Sequence, residues 1–343
     1  MKKIVKIEIV VLILVALIAG SMVLISEGVL GLFSEPVVLE KTAVPIPQET
    51  IAESIPTEPE HTETQQIVPT EPEQEEQSGE ETPRVITATH YYVYDVRDAV
   101  YLKTLGNVDE KLYPASITKL LSSLVMLKYM EPGENVTVTE DVMLLVQPDS
   151  SLAGLMAGDT LTVEQLISAM MLPSGNDAAQ VAAVATGRVI AGSQDLDYID
   201  ARNVFVKEMN KMARELGMKN SHFENPDGWH HENHYTTMDD LVILCQKVLE
   251  VPMILKYTGM PQDVVMMADR NLEWKNTNML LHEELDTYIP ATIGLKTGFT
   301  NAAGSCLVSA FFETDRIVLI GVFGCPPYTM DRYLDTVEIY NSI

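Results

Sequence analysis

Cysteine is scarce in this chain: three in 343 residues, at 245, 306 and 325, with no pair at the C-x-x-C spacing of a metal site. So low and odd a count excludes a disulfide framework. Cys306 and Cys325 are expected on the two arms of one hairpin, yet counting outward from a turn at Glu313-Thr314-Asp315 leaves them about three residues out of register, which argues against a bridge. Basic residues are also short, with 23 Lys and Arg against 49 Asp and Glu and a formal net charge of -26. There is no basic footprint for nucleic acid. Aromatic residues are all but absent from 35–84, where Glu, Pro, Thr and Gln dominate. Such a segment cannot bury enough apolar surface to offset its ordering entropy. It is expected to be a disordered, self-repelling spacer averaging on the order of 40 Å end to end, a reach that would hold a domain clear of a membrane surface.

What is present starts at the N-terminus. Lys2, Lys3 and Lys6 precede an apolar run from Ile9 to Ile25, the pattern of an export signal whose positive end stays in the cytoplasm. Ala19-Gly20-Ser21 is a passable cleavage site, but the run together with Val29-Leu30-Gly31-Leu32-Phe33 is nearly long enough to span a bilayer. Residues 1–34 are therefore expected to form a signal or retained membrane anchor, with cleavage and secretion as the alternative. The absence of cysteine from this region excludes a lipoprotein. Residues 35–86 form the spacer, and 87–343 the folded domain.

That domain opens with two short β-rich runs, Tyr91–Val96 and Ala99–Lys103, joined by Arg97-Asp98 as a hairpin. Its middle is helical. Thr162 with Gln165 predicts a capping box before a helix over Val163–Met171, and Thr236 with Asp239 another before Met238–Leu249. The end returns to strand, with Ser305–Phe312 and Arg316–Gly324 as a second hairpin. Strands at both ends and helices between predict an α+β fold: a mainly antiparallel sheet closed by both termini, flanking helices, and an inserted all-helical part.

Three polar clusters interrupt apolar surroundings. Pro114 suits the first turn of a helix, and Leu120 to Met126 are apolar on nearly every face. Ser116 and Lys119 stand three apart, on one face of that helix. A serine hydroxyl is a poor nucleophile until a base takes its proton, and a lysine can be that base if burial or a neighbouring cation lowers its pKa. The same pattern is common by chance on surface helices. Next, Leu172-Pro173-Ser174-Gly175-Asn176-Asp177 reads as a helix-to-helix turn, with Asn176 or Asp177 capping a helix over Ala178–Ala185. That reading gives no role to the Ser174 hydroxyl. Finally, Ile293-Gly294-Leu295-Lys296-Thr297-Gly298-Phe299-Thr300 reads as a strand followed by a turn. Lysine and threonine there suit a substrate carboxylate, and glycine permits close backbone approach.

In chain order these are the Ser-x-x-Lys, Ser-x-Asn and Lys-Thr-Gly motifs of penicillin-binding proteins and class A β-lactamases. The chain resembles the low-molecular-mass penicillin-binding proteins that are serine-type D-Ala-D-Ala carboxypeptidases, peptidase family S11. Asn225-Pro226-Asp227-Gly228, His234-Tyr235-Thr236-Thr237 and Gly294 to Gly304 carry the resemblance further, over nearly the whole folded domain. It implies a β-lactamase/transpeptidase-like fold and an enzyme of the bacterial cell envelope, outside the cytoplasm, that needs no cofactor or metal. Ser116 would attack the penultimate D-Ala carbonyl, Lys119 would accept its proton, and Ser174 would relay a proton to the leaving amine. Asn176 would hold the substrate amide and position Lys119, while Lys296, Thr297 and Gly298 would bind the terminal carboxylate end. The backbone amides of Ser116 and Phe299 would form the oxyanion hole. The implied partners are a peptidoglycan stem peptide ending in D-Ala-D-Ala, β-lactams as covalent inhibitors, and a membrane through the N-terminal segment.

The sequence also departs from the resemblance. Family members often have His at the position of Asp227 and Leu at that of Trp229, and many continue into a second β-rich domain ending in an amphipathic helix, whereas this chain stops soon after Tyr340. That is the main reason to expect an N-terminal anchor. Other readings remain. A class A β-lactamase normally carries Glu-x-x-Leu-Asn, which does not occur between Asn176 and Lys296. His230 and His234 have the i, i+4 spacing of a zinc peptidase, but Glu232 is misplaced and Pro226 and Gly228 make a loop. A non-catalytic cell-wall-binding or β-lactam-sensing protein would keep the same fold.

Overall fold

A computed structural model describes residues 84–343. The expected anchor, and all of the expected spacer but its last three residues, lie outside the described residues. Among the described residues no helix is long and apolar enough to cross a membrane.

Five antiparallel strands form the main sheet, in the order β2-β1-β9-β8-β7. They are β1 (His90–Asp95), β2 (Val100–Leu105), β7 (Thr292–Thr300), β8 (Gly304–Glu313) and β9 (Arg316–Cys325). Because β1 pairs with β9, strands from the two ends of the domain meet in the middle of the sheet. Period-two alternation then serves two cores at once. Along β8, Cys306, Val308 and Ala310 face the helical side, while Leu307 and Phe311 face the C-terminal helix α7 (Asp331–Asn341). Both faces are covered, so the strand is an apolar run with no exposed stripe.

Between β2 and β7 lie six helices: α1 (Thr118–Tyr129), α2 (Val163–Met171), α3 (Asn176–Ala191), α4 (Tyr198–Leu216), α5 (Met238–Leu249) and α6 (Pro252–Thr258). Two small two-stranded sheets, β3 (Asn135–Thr137) with β4 (Thr160–Thr162) and the hairpin β5 (Gln262–Met266) with β6 (Asn271–Lys275), edge this part. Helix α1 is buried from Thr118 to Met126, with Lys119, Ser122 and Ser123 enclosed among apolar residues, as a sequence apolar on nearly every face predicts.

Local details differ from the sequence expectation in five places. Pro114 precedes a single 3-10 turn over Ala115–Ile117, and the α-helix starts only at Thr118, so Ser116 lies in the turn and Lys119 in the helix. The capping box of Thr162 and Gln165 is present, but α5 is capped by Thr237, because Thr236 is occupied with a backbone bridge to Leu112. Helix α3 starts two residues early with Gly175 as its uncapped N-cap, Asp177 being turned instead toward a neighbouring loop. Lys296, Thr297 and Gly298 lie inside β7, with no turn before Thr300. A bulge sets Ser305 opposite Cys325 and Leu307 opposite Val322, so the cysteines are nearly in register. They still face different cores, and all three cysteines are free and buried.

Residues 84–88, around the expected boundary at 87, are tied to the C-terminal helix. Buried Asp335 of α7 accepts from Arg84 Nε at 3.0 Å, from the backbone N–H of Thr87 and Ala88 at 2.8 Å each, and from Thr87 Oγ1 at 2.9 Å, while Arg84 also pairs with Asp331. Replacing this acceptor leaves four donors short at once. Asp335→Ala is expected to lower stability by about 3–5 kcal/mol, read as a drop of several degrees in a thermal melt of the 84–343 domain.

Candidate active site

The 3-10 turn that carries Ser116 is wedged between two glycines. A Cβ on Gly228 would fall 1.8 Å from the Ala115 carbonyl oxygen and 2.9 Å from the Ser116 nitrogen. One on Gly298 would fall 2.8 Å from the Pro114 carbonyl oxygen and 3.4 Å from the Ser116 nitrogen. Only residues without side chains let the loop before α5 and the edge strand β7 close on the turn from both sides. Ala115 itself has φ +48, a conformation that costs about 1–3 kcal/mol and holds only where its surroundings over-determine it.

Lys119, one turn on, is fully buried and its Nζ meets three oxygens. It lies 2.8 Å from Ser116 Oγ, 2.7 Å from Asn176 Oδ1 and 2.8 Å from the Asp227 carbonyl. Burial pulls its pKa down to about 8, against the opposing charges of Asp227 and Asp177. The amine can therefore exist neutral near physiological pH beside the hydroxyl it touches.

Ser174 is buried on the loop that leads into α3, with φ +63, and Asn176, two residues on, is the one that bonds Lys119. The loop is held from outside. Asp177 accepts the backbone N–H of Ala153, Gly154 and Leu155 at 2.8, 2.9 and 3.0 Å, and the Asn176 N–H donates to the Ser151 carbonyl.

Strand β7 is the edge of the sheet, so one rim of its backbone has no strand partner, and it is the strand that packs against the Ser116 turn. Phe299 follows Gly298 on it. Lys296 is buried but bonds only Thr297, its carbonyl and Oγ1 both at 3.3 Å. Burial first, then the cations of Lys119 and Arg332, pull its pKa well down. Among the described residues no carboxylate pairs with Lys296, so an anion brought against it would favour its protonated form.

Two residues here carried no sequence signal: Thr277, whose Oγ1 lies 2.6 Å from Thr297 Oγ1, and Arg332 of α7, which donates to the Gly298 carbonyl at 3.0 Å. Asp227, part of the Asn-Pro-Asp-Gly stretch singled out in the sequence, serves the site through its main chain. Only a motif on the sheet, not on the helix after it, could have pointed to Arg332. The histidines do not converge. His230 packs edge-on against Tyr113, whereas His234 is buried against Thr118 Oγ1 at 2.9 Å with its pKa driven down to about 3 by desolvation. No group of three metal-ligating side chains occurs among the described residues.

Fold and constellation together define the class: a β-lactamase/transpeptidase-like serine protein, of the same fold as solved penicillin-binding proteins. Similar structures include the Streptomyces K15 DD-transpeptidase, with a TM-score of 0.67 at 27% identity, covering 76% of this chain and 98% of that one. The ampicillin-bound form of penicillin-binding protein D2 from Listeria monocytogenes is similar too, with a TM-score of 0.60 at 26% identity over 75% and 97% of the two chains. The chain belongs to the D-alanyl-D-alanine carboxypeptidase family, peptidase S11, whose model matches residues 76–326. The D-alanyl-D-alanine carboxypeptidase DacF of Bacillus subtilis is 30% identical over 253 residues, 72% of this chain. The chain spans 60% of that relative's length.

A methyl group at residue 228 must push the Ser116 turn aside. Gly228→Ala is expected to slow covalent labelling of Ser116 by a fluorescent penicillin by about 100-fold, since a displacement near 1 Å at reacting atoms has that effect. A labelling rate equal to wild type would show that the turn tolerates the shift.

Proposed function

We propose that this protein is a serine-type D-Ala-D-Ala carboxypeptidase that removes the terminal D-Ala from peptidoglycan stem peptides and is acylated at Ser116 by β-lactams. The observation that carries the reading is the 2.8 Å contact between Ser116 Oγ and the buried amine of Lys119, next to an edge strand that bears Lys296, a buried lysine with no carboxylate partner among the described residues. Neutral Lys119 takes the hydroxyl proton as Ser116 Oγ attacks the penultimate D-Ala carbonyl. The oxyanion forms at the Ser116 and Phe299 amides, near the positive end of α1. Collapse breaks the C–N bond, the amine leaves with a proton passed through Ser174, and an ester on Ser116 remains. Water, deprotonated by Lys119, then attacks the ester and releases a peptide one residue shorter.

Lys296 and Thr297 account for the choice of bond. A terminal carboxylate supplies the anion that Lys296 lacks, and it does so only when the scissile bond is the last one. A β-lactam presents an amide and a carboxylate in similar places, but its leaving amine stays tethered to the acyl group. Lys2, Lys3, Lys6 and the apolar run from Ile9 support attachment at the outer face of the cytoplasmic membrane, with 35–83 as the tether.

Intact-protein mass spectrometry tests this directly. Penicillin is expected to add its own mass to the protein, and a D-Ala-D-Ala peptide to lose D-Ala, with both reactions absent in Ser116→Ala; D-Ala release that survives the mutation would sink the mechanism. Because the base is the neutral amine and Lys119 sits at about 8, the acylation rate is expected to rise with pH through about 8 and then level. On the acid side it should fall about tenfold per pH unit. A profile flat from pH 6 to 9 would exclude Lys119 as the base.

A further inference from the structure

Asp227 turns its main chain and its side chain to different tasks. The carbonyl accepts from Lys119 Nζ at 2.8 Å and from Ser116 Oγ at 3.4 Å. The carboxylate is buried, with Oδ2 accepting from Gln180 Nε2 at 2.8 Å and Oδ1 from the Trp229 N–H at 2.9 Å. Neither donor is a cation. Gln180 gives its amide N–H to Asp227 while its own Oε1, also buried, meets no donor.

The carbonyl does not need this carboxylate to hold it in place. Gly228 N–H donates to Asn225 Oδ1 at 2.8 Å, Asn225 Nδ2 to the Trp229 carbonyl at 2.8 Å, and Ser122 Oγ to the Pro226 carbonyl at 2.6 Å. The loop is thus pinned on both sides of residue 227. A buried carboxylate with two neutral donors is costly, and what it adds beyond the loop is charge.

We propose that the Asp227 side chain is a positioning residue for the Ser116–Lys119 pair: its charge keeps the ammonium seated among its three oxygens and sets the lowest pH at which the site reacts. The inference rests on Lys119 acting as the base. The charged groups that face Lys119 are Asp227 from the loop, Asp177 from α3 and Lys296 from β7, with Arg332 of α7 behind Lys296. Asp177 is already engaged by the amides of three loop residues and of Ala178. Of the two carboxylates, Asp227 acts more strongly on Lys119. It opposes the loss of the proton, so its removal should let Lys119 deprotonate at lower pH.

The test is the rate of Ser116 acylation by penicillin as a function of pH in wild type, Asp227→Asn and Asp227→Ser. Asparagine keeps an acceptor for Trp229, and its new N–H can donate to the stranded Gln180 Oε1 once that amide turns over. Both variants are expected to move the acid limb down by about one pH unit, and so to react about tenfold faster than wild type on that limb. A limb that stays in place, or a rate lowered equally at every pH, assigns Asp227 a structural role and overturns the proposal. Loss of the folded state in both variants does the same. A wild type that is never acylated sinks the reading of the site itself, whatever the variants do.

Discussion

Burial of the Lys119 amine is the constraint to which the rest of the domain answers. Removing an ammonium from water costs several kcal/mol unless oxygens replace the lost hydration. Here the three replacements come from three separate segments: Ser116 from the turn before α1, Asn176 from the start of α3, and the Asp227 carbonyl from the loop before α5. No local stretch of chain could assemble them. The helical part is inserted between β2 and β7, the two edges of a sheet that the pairing of β1 with β9 closes in its middle, and β7 packs against the same turn.

Convergence this tight leaves its marks in the backbone. Ala115 and Ser174, both non-glycine residues in the left-handed region, are on the two segments that approach Lys119 from either side. Their surroundings hold them there. Asp177 ties the Ser174 loop to residues 153–155, Trp274 Nε1 ties Ala153 to β6 at 2.8 Å, and Arg270 ties Gly154 and Asp159 to the same hairpin. The β5–β6 hairpin, remote from any motif, thus braces the loop that carries the second serine.

Much of this was legible in the sequence, and the reason is periodicity. The all-round apolar stretch after Lys119, the two terminal hairpins and the capping box at Thr162 each follow from local pattern, and each is in the structure. Ser116, Lys119 and Asn176, which two of the motifs contain, meet in the structure, and the strand that bears the third packs against the Ser116 turn. What pattern could not reach was whatever depends on two distant segments touching. Thr236 loses its capping role to a bridge with Leu112, Asp177 stands inside the helix rather than at its N-cap and serves residues 153–155 as well as Ala178, and a bulge moves Cys306 against the register counted from the turn. Arg332 lay beyond inference for the same reason, as a lone arginine on a C-terminal helix with no spacing to link it to β7.

The two active-site lysines make the final contrast. Both are fully buried, and burial lowers the pKa of each. Lys119 nevertheless has three close oxygens and two carboxylate charges in range, so its proton is shared out and can be surrendered to, or taken from, the serine beside it. Lys296 has two contacts of 3.3 Å and cations for neighbours. Identical side chains at similar depth are thus given different work by what surrounds them. A group that is stabilised whether or not it carries its proton can act as a base. One that is destabilised until an anion arrives can select for a carboxylate, and therefore for a chain end. Since Gly298 presses the strand of the second onto the turn that carries Ser116, the two environments meet at one serine.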